Sequence, residues 1–176
     1  GVLKTMDRAI RFALLTGVTK FGKVSVFSGL HNLDDISMRE PYAAICGITE
    51  TELRTHFDED IHTLASALER TYEEARSLLR KRYDGYHFVA GGPGIYNPFS
   101  LLNTFKYMRL SDYWFETGTP TYLMELLKRT TYDLYDMANT ETDADVLNSI
   151  DSASNNPIPV IYQSGYLTIK GYDPEF

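Results

Sequence analysis

The chain begins with short apolar runs and changes to helical spacing further along. Residues 11–17 are mostly apolar and end at Gly17, a pattern that predicts a buried strand with Thr16 at its end. A second apolar run, residues 24–27, stops at Ser28-Gly29, where we expect the backbone to turn. From residue 49 onward, apolar residues recur every three or four positions, as on one face of a helix.

Two capping boxes predict helix starts in this second part. Thr49 with Glu52, and Thr71 with Glu74, have the spacing at which a hydroxyl and a carboxylate satisfy the backbone amides that a helix start leaves unpaired. We expect Gly85 to end the second helix. The predicted apolar faces are Ile61, Leu64, Ala65 and Leu68 in the first helical stretch and Tyr72, Ala75, Leu79 and Tyr83 in the second.

Proline and glycine mark predicted helix starts, helix ends and loops in the rest of the chain. Asn97-Pro98 and Thr119-Pro120 each predict a helix start, and residues 87–96 between helices predict a small hairpin or a surface loop. Residues 139–156 are polar and predict a short helix within a solvated connection. Residues 157–170 fit either a hairpin or a helix capped by Gly165 and followed by a strand over 166–170, and the helical spacing favours the latter.

Composition narrows the class of protein. The chain has 176 residues, of which 43% are hydrophobic and 23% charged, so it should fold around a core as about one domain. Its formal charge of −7 disfavours broad nucleic-acid binding. No apolar run is long enough for a membrane helix, and the one cysteine, Cys46, predicts a reducing, cytoplasmic setting and a buried small side chain. The fold expected is α+β and mainly helical.

Residues 17–24 invite comparison with the phosphate-binding loop GxxxxGK[ST]. The match fails at Val24, which has no hydroxyl for magnesium, and the residues that follow favour extended backbone over the helix such a loop should open. A strand end followed by a basic turn is therefore the favoured interpretation. A degenerate anion site over residues 17–23 is the weaker alternative.

Six blocks, taken in order, resemble a known family. They are FALLTGVTKFGKVSVFSGLHNLDDIS, YAAICGITETEL, RYDGYHF, YNPFSLLN, YWFETGTPTYLMELL and YQSGYLTIKGYDPE. Together they resemble the second half of the predicted AAA-ATPase-like family common in gut Bacteroidetes. The resemblance implies that the phosphate loop and the acidic magnesium-binding strand lie upstream of this chain, and that a nuclease-like domain of the PD-(D/E)XK type follows it.

On this resemblance, residues 1–36 are the tail of a nucleotide-binding core, with short buried strands. Residues 37–176 are a helical lid of winged-helix character that ends in a small strand. Thr16 takes the place of the sensor residue that feels the terminal phosphate, and Lys20 and Lys23 add positive potential near it. Gly22 departs from the serine expected there. The resemblance implies ATP and Mg²⁺ in the intact protein, and none bound to this part, which alone should not hydrolyse ATP.

The runner-up is a non-catalytic module whose winged-helix-like end binds protein or, less well, DNA. We also expect an unpaired edge of the strand over residues 166–170 to allow association between copies of the chain.

Three other clusters have plainer interpretations. Residues 56–62 gather His and Asp side chains, but acidic residues in a first helical turn ordinarily complement the helix dipole, and no metal is expected. Asp84 and His87 flank Gly85 and could suggest acid/base chemistry, although a helix end held by aromatic packing is favoured. Trp114 could stack on a base, and a core anchor is favoured.

Overall fold

A computed structural model describes residues 9–17, 34–114, 125, 128, 134–148 and 156–173. The chain divides into two compact units, one made of Gly1–Ile36 with Tyr122–Leu167 and the other of Ser37–Thr121 with Thr168–Phe176. We call them the 122–167 unit and the 37–121 unit. The described residues form seven α-helices and a two-stranded antiparallel sheet, so the α+β, mainly helical class is confirmed. The assignment of residues 1–36 and 37–176 to a core and a lid stays a prediction.

The 37–121 unit contains the sheet and the longer helices. A 3₁₀ turn over Glu40–Tyr42 precedes the first strand. In chain order the elements that follow are β1 (Ile48–Thr49), α1 (Glu50–His56), α2 (Asp58–Ala67), α3 (Tyr72–Tyr83), β2 (Ile95–Tyr96) and α4 (Pro98–Tyr107). The strands pair with Ile48 opposite Tyr96 and Thr49 opposite Ile95. The described helices of the 122–167 unit are α5 (Leu134–Ala138), α6 (Ala144–Asn148) and α7 (Ile158–Gln163).

Both capping boxes predicted from the sequence are present. The Thr49 hydroxyl accepts a hydrogen bond from the Glu52 amide, and the Glu52 carboxylate accepts the Thr49 amide at 2.9 Å. Thr71 and Glu74 repeat this arrangement at the start of α3, with the carboxylate 2.8 Å from the Thr71 nitrogen. Asn97 caps α4 as predicted, since its side chain accepts the amide of Ser100.

The core of the 37–121 unit lies between α1 to α4 and β2. The predicted apolar faces supply most of it, although Leu68 and Tyr72 are only partly buried at its edge. Its buried residues are Leu53, Ile61, Leu64, Ala65, Ala75, Leu79, Tyr83, Tyr96, Leu101 and Phe105. Cys46 was expected to be buried, but it is exposed. In this part of the chain the buried side chain is that of Ala43, in the preceding turn.

The loop between α3 and β2 folds back on itself. Helix α3 ends at Tyr83, and Gly85 follows with φ +108°, a left-handed backbone that glycine adopts without strain. The carbonyl of Tyr86 accepts the amide of Ile95 at 3.0 Å, which closes the loop. The hairpin and surface-loop interpretations were therefore each right in part, but β2 pairs with the distant β1.

The C-terminal segment forms the predicted helix, but residues 166–170 do not form the strand predicted after it. Gly165 (φ +82°) ends α7, with its amide bonded to the Tyr162 carbonyl. Residues 166–170 form no strand, because no described strand lies beside them to pair with. Instead, the Thr168 hydroxyl accepts the His87 amide at 2.7 Å. The strand edge predicted to join two copies is accordingly not formed.

The strand predicted over residues 11–17 is also wrong. This segment has no regular secondary structure and is exposed, Phe12 at 82%. A strand needs a neighbour for its amides and carbonyls, and no described strand pairs with these residues. Residues 24–27 and the helix start at Thr119-Pro120 lie outside the described residues. The short polar helix predicted within residues 139–156 is confirmed as α6.

Candidate functional site

The predicted sensor residue lies in the exposed segment before Gly17. Thr16 is on the surface in irregular backbone, and Lys20 and Lys23 lie outside the described residues. The sensor role of Thr16 and the phosphate contacts of the two lysines therefore stay predictions. The structure instead draws together polar side chains from α1, α3 and β2 in the 37–121 unit.

A buried tyrosine anchors this polar cluster. Tyr96, fully enclosed on β2, donates its hydroxyl to a carboxylate oxygen of Glu50 at 2.5 Å. The other Glu50 oxygen accepts the Nε–H of Arg76 at 2.7 Å. Arg76 also donates to Glu73 from the same helix at 2.7 Å. The first residue of α1 is thereby tied to the middle of α3 and to β2, across 46 positions of sequence.

The surroundings of Glu50 favour its charged form. Partial burial raises the pKa of the Glu50 carboxyl, but the hydrogen bonds from Tyr96 and Arg76 and the charges of Arg76 and Arg80 outweigh it, and the pKa is lowered. The pKa of Tyr96 is raised, first by burial and then by the Glu50 carboxylate that accepts its hydrogen bond. At neutral pH, Glu50 is thus an ionised carboxylate that accepts hydrogen bonds from the neutral phenol of Tyr96 and from the guanidinium of Arg76.

Beside this cluster lies a surface depression. Asp84 and His87 flank one wall, and a Cβ added at Gly94 would meet Asp84 Oδ1 at 3.0 Å and the His87 ring at 3.5 Å. Glycine at this position therefore leaves room for both side chains beside the backbone. Arg80 lies 3.5 Å from Asp84 through its Nε. The lining residues are Thr49, Glu50, Thr51, Arg80, Asp84, Gly85, His87, Pro93 and Gly94.

Both the ring and the backbone amide of His87 are hydrogen-bonded. Its Nδ1 lies 3.0 Å from the carbonyl oxygen of Gly92, and because a carbonyl only accepts, Nδ1 carries the hydrogen. Its amide donates to Thr168. The helix end predicted at this motif is confirmed, with Tyr86 and Phe88 packed edge to face at 4.8 Å. The depression thus offers carboxylates, a guanidinium and an imidazole, which suit a polar ligand with both donors and acceptors.

The acidic and histidine side chains of α2 form a smaller arrangement. His62 Nε2 lies 3.8 Å from the Asp58 carboxylate, which also accepts the Tyr72 hydroxyl at 2.8 Å. The His62 ring packs on the Tyr72 ring at 4.6 Å. Among the described residues, no three His, Cys, Asp or Glu side chains gather as metal ligands.

Sequence reasoning considered Asp84 and His87 but favoured a helix end there, and it missed the residues around Glu50. Glu50 looks like any acidic residue in a first helical turn, and Tyr96 looks like a residue before a helix cap. No local spacing indicates that they meet, because only the β1–β2 pairing brings them together. Trp114, favoured as a core anchor, is half-buried, while its neighbour Tyr113 is buried and donates its hydroxyl to the Arg109 carbonyl.

The chain is similar to the "Uncharacterized protein in vnfD 5'region" of Azotobacter chroococcum mcd 1, with 41% identity over 169 residues. The match covers 96% of this chain, and the chain spans 30% of that relative's length. No family model and no solved structure matches the chain. Across the described helices, none has the length and apolar character needed to cross a bilayer.

Proposed function

We propose that this chain is the sensor and lid part of a cytoplasmic P-loop ATPase of the AAA-ATPase-like type. In the intact protein, an upstream core would hold ATP and Mg²⁺, and this part would couple the nucleotide state to a downstream nuclease-like domain or to a partner. Thr16 would sense the terminal phosphate, with Lys20 and Lys23 nearby. The chain alone would not hydrolyse ATP.

The convergence of three resemblance blocks supports this proposal most directly. Glu50 from YAAICGITETEL, Asp84 and His87 from RYDGYHF, and Tyr96 from YNPFSLLN are far apart in sequence. In the fold, Glu50 bonds Tyr96, and Glu50, Asp84 and His87 line one depression. We infer that the residues of these blocks act together, as a lid that responds to nucleotide would require.

Two further observations agree with the proposal. The Azotobacter relative extends well beyond the segment that matches this chain, which leaves length for other domains. Thr16 is exposed, so its hydroxyl is accessible to a ligand or to another part of an intact protein.

Steady-state ATP hydrolysis by the intact protein tests the sensor role. Thr16→Val removes the hydroxyl, whereas Thr16→Ser keeps it and is the matched control. Loss of one hydrogen bond to the transferred phosphoryl group predicts that Thr16→Val lowers kcat about 10²-fold with little change in KM. Thr16→Ser should retain most of the activity. Equal activity of all three proteins would refute the sensor assignment.

The second candidate function is a non-catalytic protein-interaction module. One specific observation favours it: helix α4 carries apolar side chains on its exposed face as well as on its buried one. Mg-ATP hydrolysis by the intact protein that survives every Thr16 substitution, together with partner binding through α4, would favour this alternative.

A further inference from the structure

Helix α4 presents an unusual outward face. Its inward face packs into the core through Ser100, Leu101, Thr104 and Phe105. Its outward face carries Phe99, Leu102 and Tyr107, which are 49%, 51% and 57% exposed. A helix that is apolar on both sides is ordinarily covered on both sides. This outward stripe is therefore a candidate docking surface.

The stripe is continuous along the helix. Phe99, Leu102 and Lys106 follow at intervals of three and four residues, so their side chains are neighbours on one face. Tyr107 lies next to Lys106, whose ammonium group is 5.1 Å from the centre of the tyrosine ring. Asn103, a polar residue between Leu102 and Lys106 in sequence, donates its side-chain amide to the Phe99 carbonyl at 2.8 Å. The stripe thus begins apolar and ends in a cation over an aromatic ring.

Charge at the end of the stripe indicates the chemistry of its occupant. Lys106 and Arg109 are both exposed, and within the described residues neither side chain has an ion pair. The carboxylate that follows them, Asp112, is 3.3 Å from Arg82 and is already paired. Two cations that have no ion-pair partner among the described residues, beside an apolar stripe, complement a partner that carries carboxylates beside apolar side chains.

We propose that the outward face of α4, defined as Phe99, Leu102, Lys106 and Tyr107, together with Arg109 two residues beyond the helix, binds an acidic amphipathic helix of a partner protein. The partner helix would run antiparallel to α4. Its acidic first turn would then lie against Lys106 and Arg109 at the end of α4, where its positive dipole end also faces the negative end of α4. Its following apolar turns would cover Leu102 and Phe99. This face would bind its partner whether or not the intact protein hydrolyses ATP.

Fluorescence anisotropy with designed peptides tests the proposal on the whole chain. The acidic probe is a helical peptide of about 16 residues with glutamates in its first turn and leucines spaced three and four apart behind them. The basic probe has lysines in place of the glutamates. We expect the acidic peptide to bind at least about tenfold more tightly than the basic one. No binding of the acidic peptide, or equal binding of the two, would overturn the proposal.

Variants of the chain locate the binding surface. Leu102→Ser should weaken binding of the acidic peptide about tenfold, while Ile45→Ser, at a residue 59% exposed elsewhere in the same unit, should leave it unchanged. Lys106→Glu should weaken binding of the acidic peptide and strengthen binding of the basic peptide. Phe99→Ser is the second variant should Leu102→Ser alter the circular dichroism spectrum. Unchanged binding in both serine variants would contradict the proposal.

Sedimentation equilibrium separates a partner from a second copy of this chain. We expect the chain to show no association that depends on the α4 face. Concentration-dependent dimerisation that is lost in Leu102→Ser would make a second copy the occupant, and the acidic-partner proposal would then be wrong.

Discussion

Replacing Tyr96 with phenylalanine removes one hydroxyl from the core of the 37–121 unit. That hydroxyl donates to the Glu50 carboxylate, whose other oxygen is held by Arg76. A hydrogen bond to a charged group contributes about 1.5–3 kcal/mol. Because Arg76 still pairs with Glu50 in the variant, the carboxylate is not left alone, and we expect a loss of about 2 kcal/mol in the free energy of unfolding at neutral pH.

The cost of Tyr96→Phe should depend on pH. The pKa of Glu50 in the folded state lies below its ordinary value of 4.5. The stabilisation of the fold by ionised Glu50 is therefore complete above pH 4.5, and it is lost as the pH falls through the lower folded-state pKa. Once Glu50 is protonated, the bond to Tyr96 is a neutral one, for which about 1 kcal/mol is typical. The difference between wild type and variant should therefore shrink on acidification.

Urea unfolding followed by circular dichroism at neutral and at acid pH measures both effects. Tyr107→Phe is the matched control, because Tyr107 is exposed and its ring contacts do not need the hydroxyl. A Glu50→Gln variant completes a double-mutant cycle with Tyr96→Phe. A cost below about 0.5 kcal/mol at neutral pH, or the same cost at both pH values, would refute the assignment of a charged hydrogen bond.

Two further predictions concern local structure. Thr71→Ala removes a capping box and should lower the free energy of unfolding by about 1 kcal/mol. Thr63→Ala is the control and should cost less, because it loses only a hydrogen bond to the Glu59 carbonyl of its own helix. Equal losses in urea unfolding would contradict the capping role. Gly47→Ala would place a Cβ against the Ile95 side chain, 2.7 Å from its Cβ, and should cost about 1–3 kcal/mol, while a Cβ at Gly17 would meet nothing within 4 Å. In an Ile95→Gly background, which removes every Ile95 atom that the new Cβ would meet, Gly47→Ala should cost clearly less, and an unchanged cost there would show that the clash is not the cause.

Local rules predicted the helices of this protein well. The Thr49, Thr71 and Asn97 caps are formed by residues within three positions of one another, so sequence spacing alone decides their geometry. The inward positions Ile61 and Leu79 follow from helical periodicity in the same way.

Long-range pairing is where sequence reasoning failed. Residues 11–17 and 166–170 have the composition of strands, but a strand exists only where a neighbour satisfies its backbone, and none of the described strands does so. Conversely, β2 forms because Ile48 and Thr49 lie beside it, and this pairing creates the Glu50–Tyr96 contact. Contacts across 46 residues leave no mark in local spacing, which is why half of the candidate site was missed.

Isothermal titration with Mg-ATP is the most direct test of the proposed ATPase role. The intact protein should bind Mg-ATP at micromolar concentrations, and this 176-residue chain should not, because the phosphate loop and magnesium ligands are expected upstream of it. Micromolar binding by this chain alone, abolished by Lys23→Ala, would contradict the sensor-and-lid account and favour an anion site over residues 17–23.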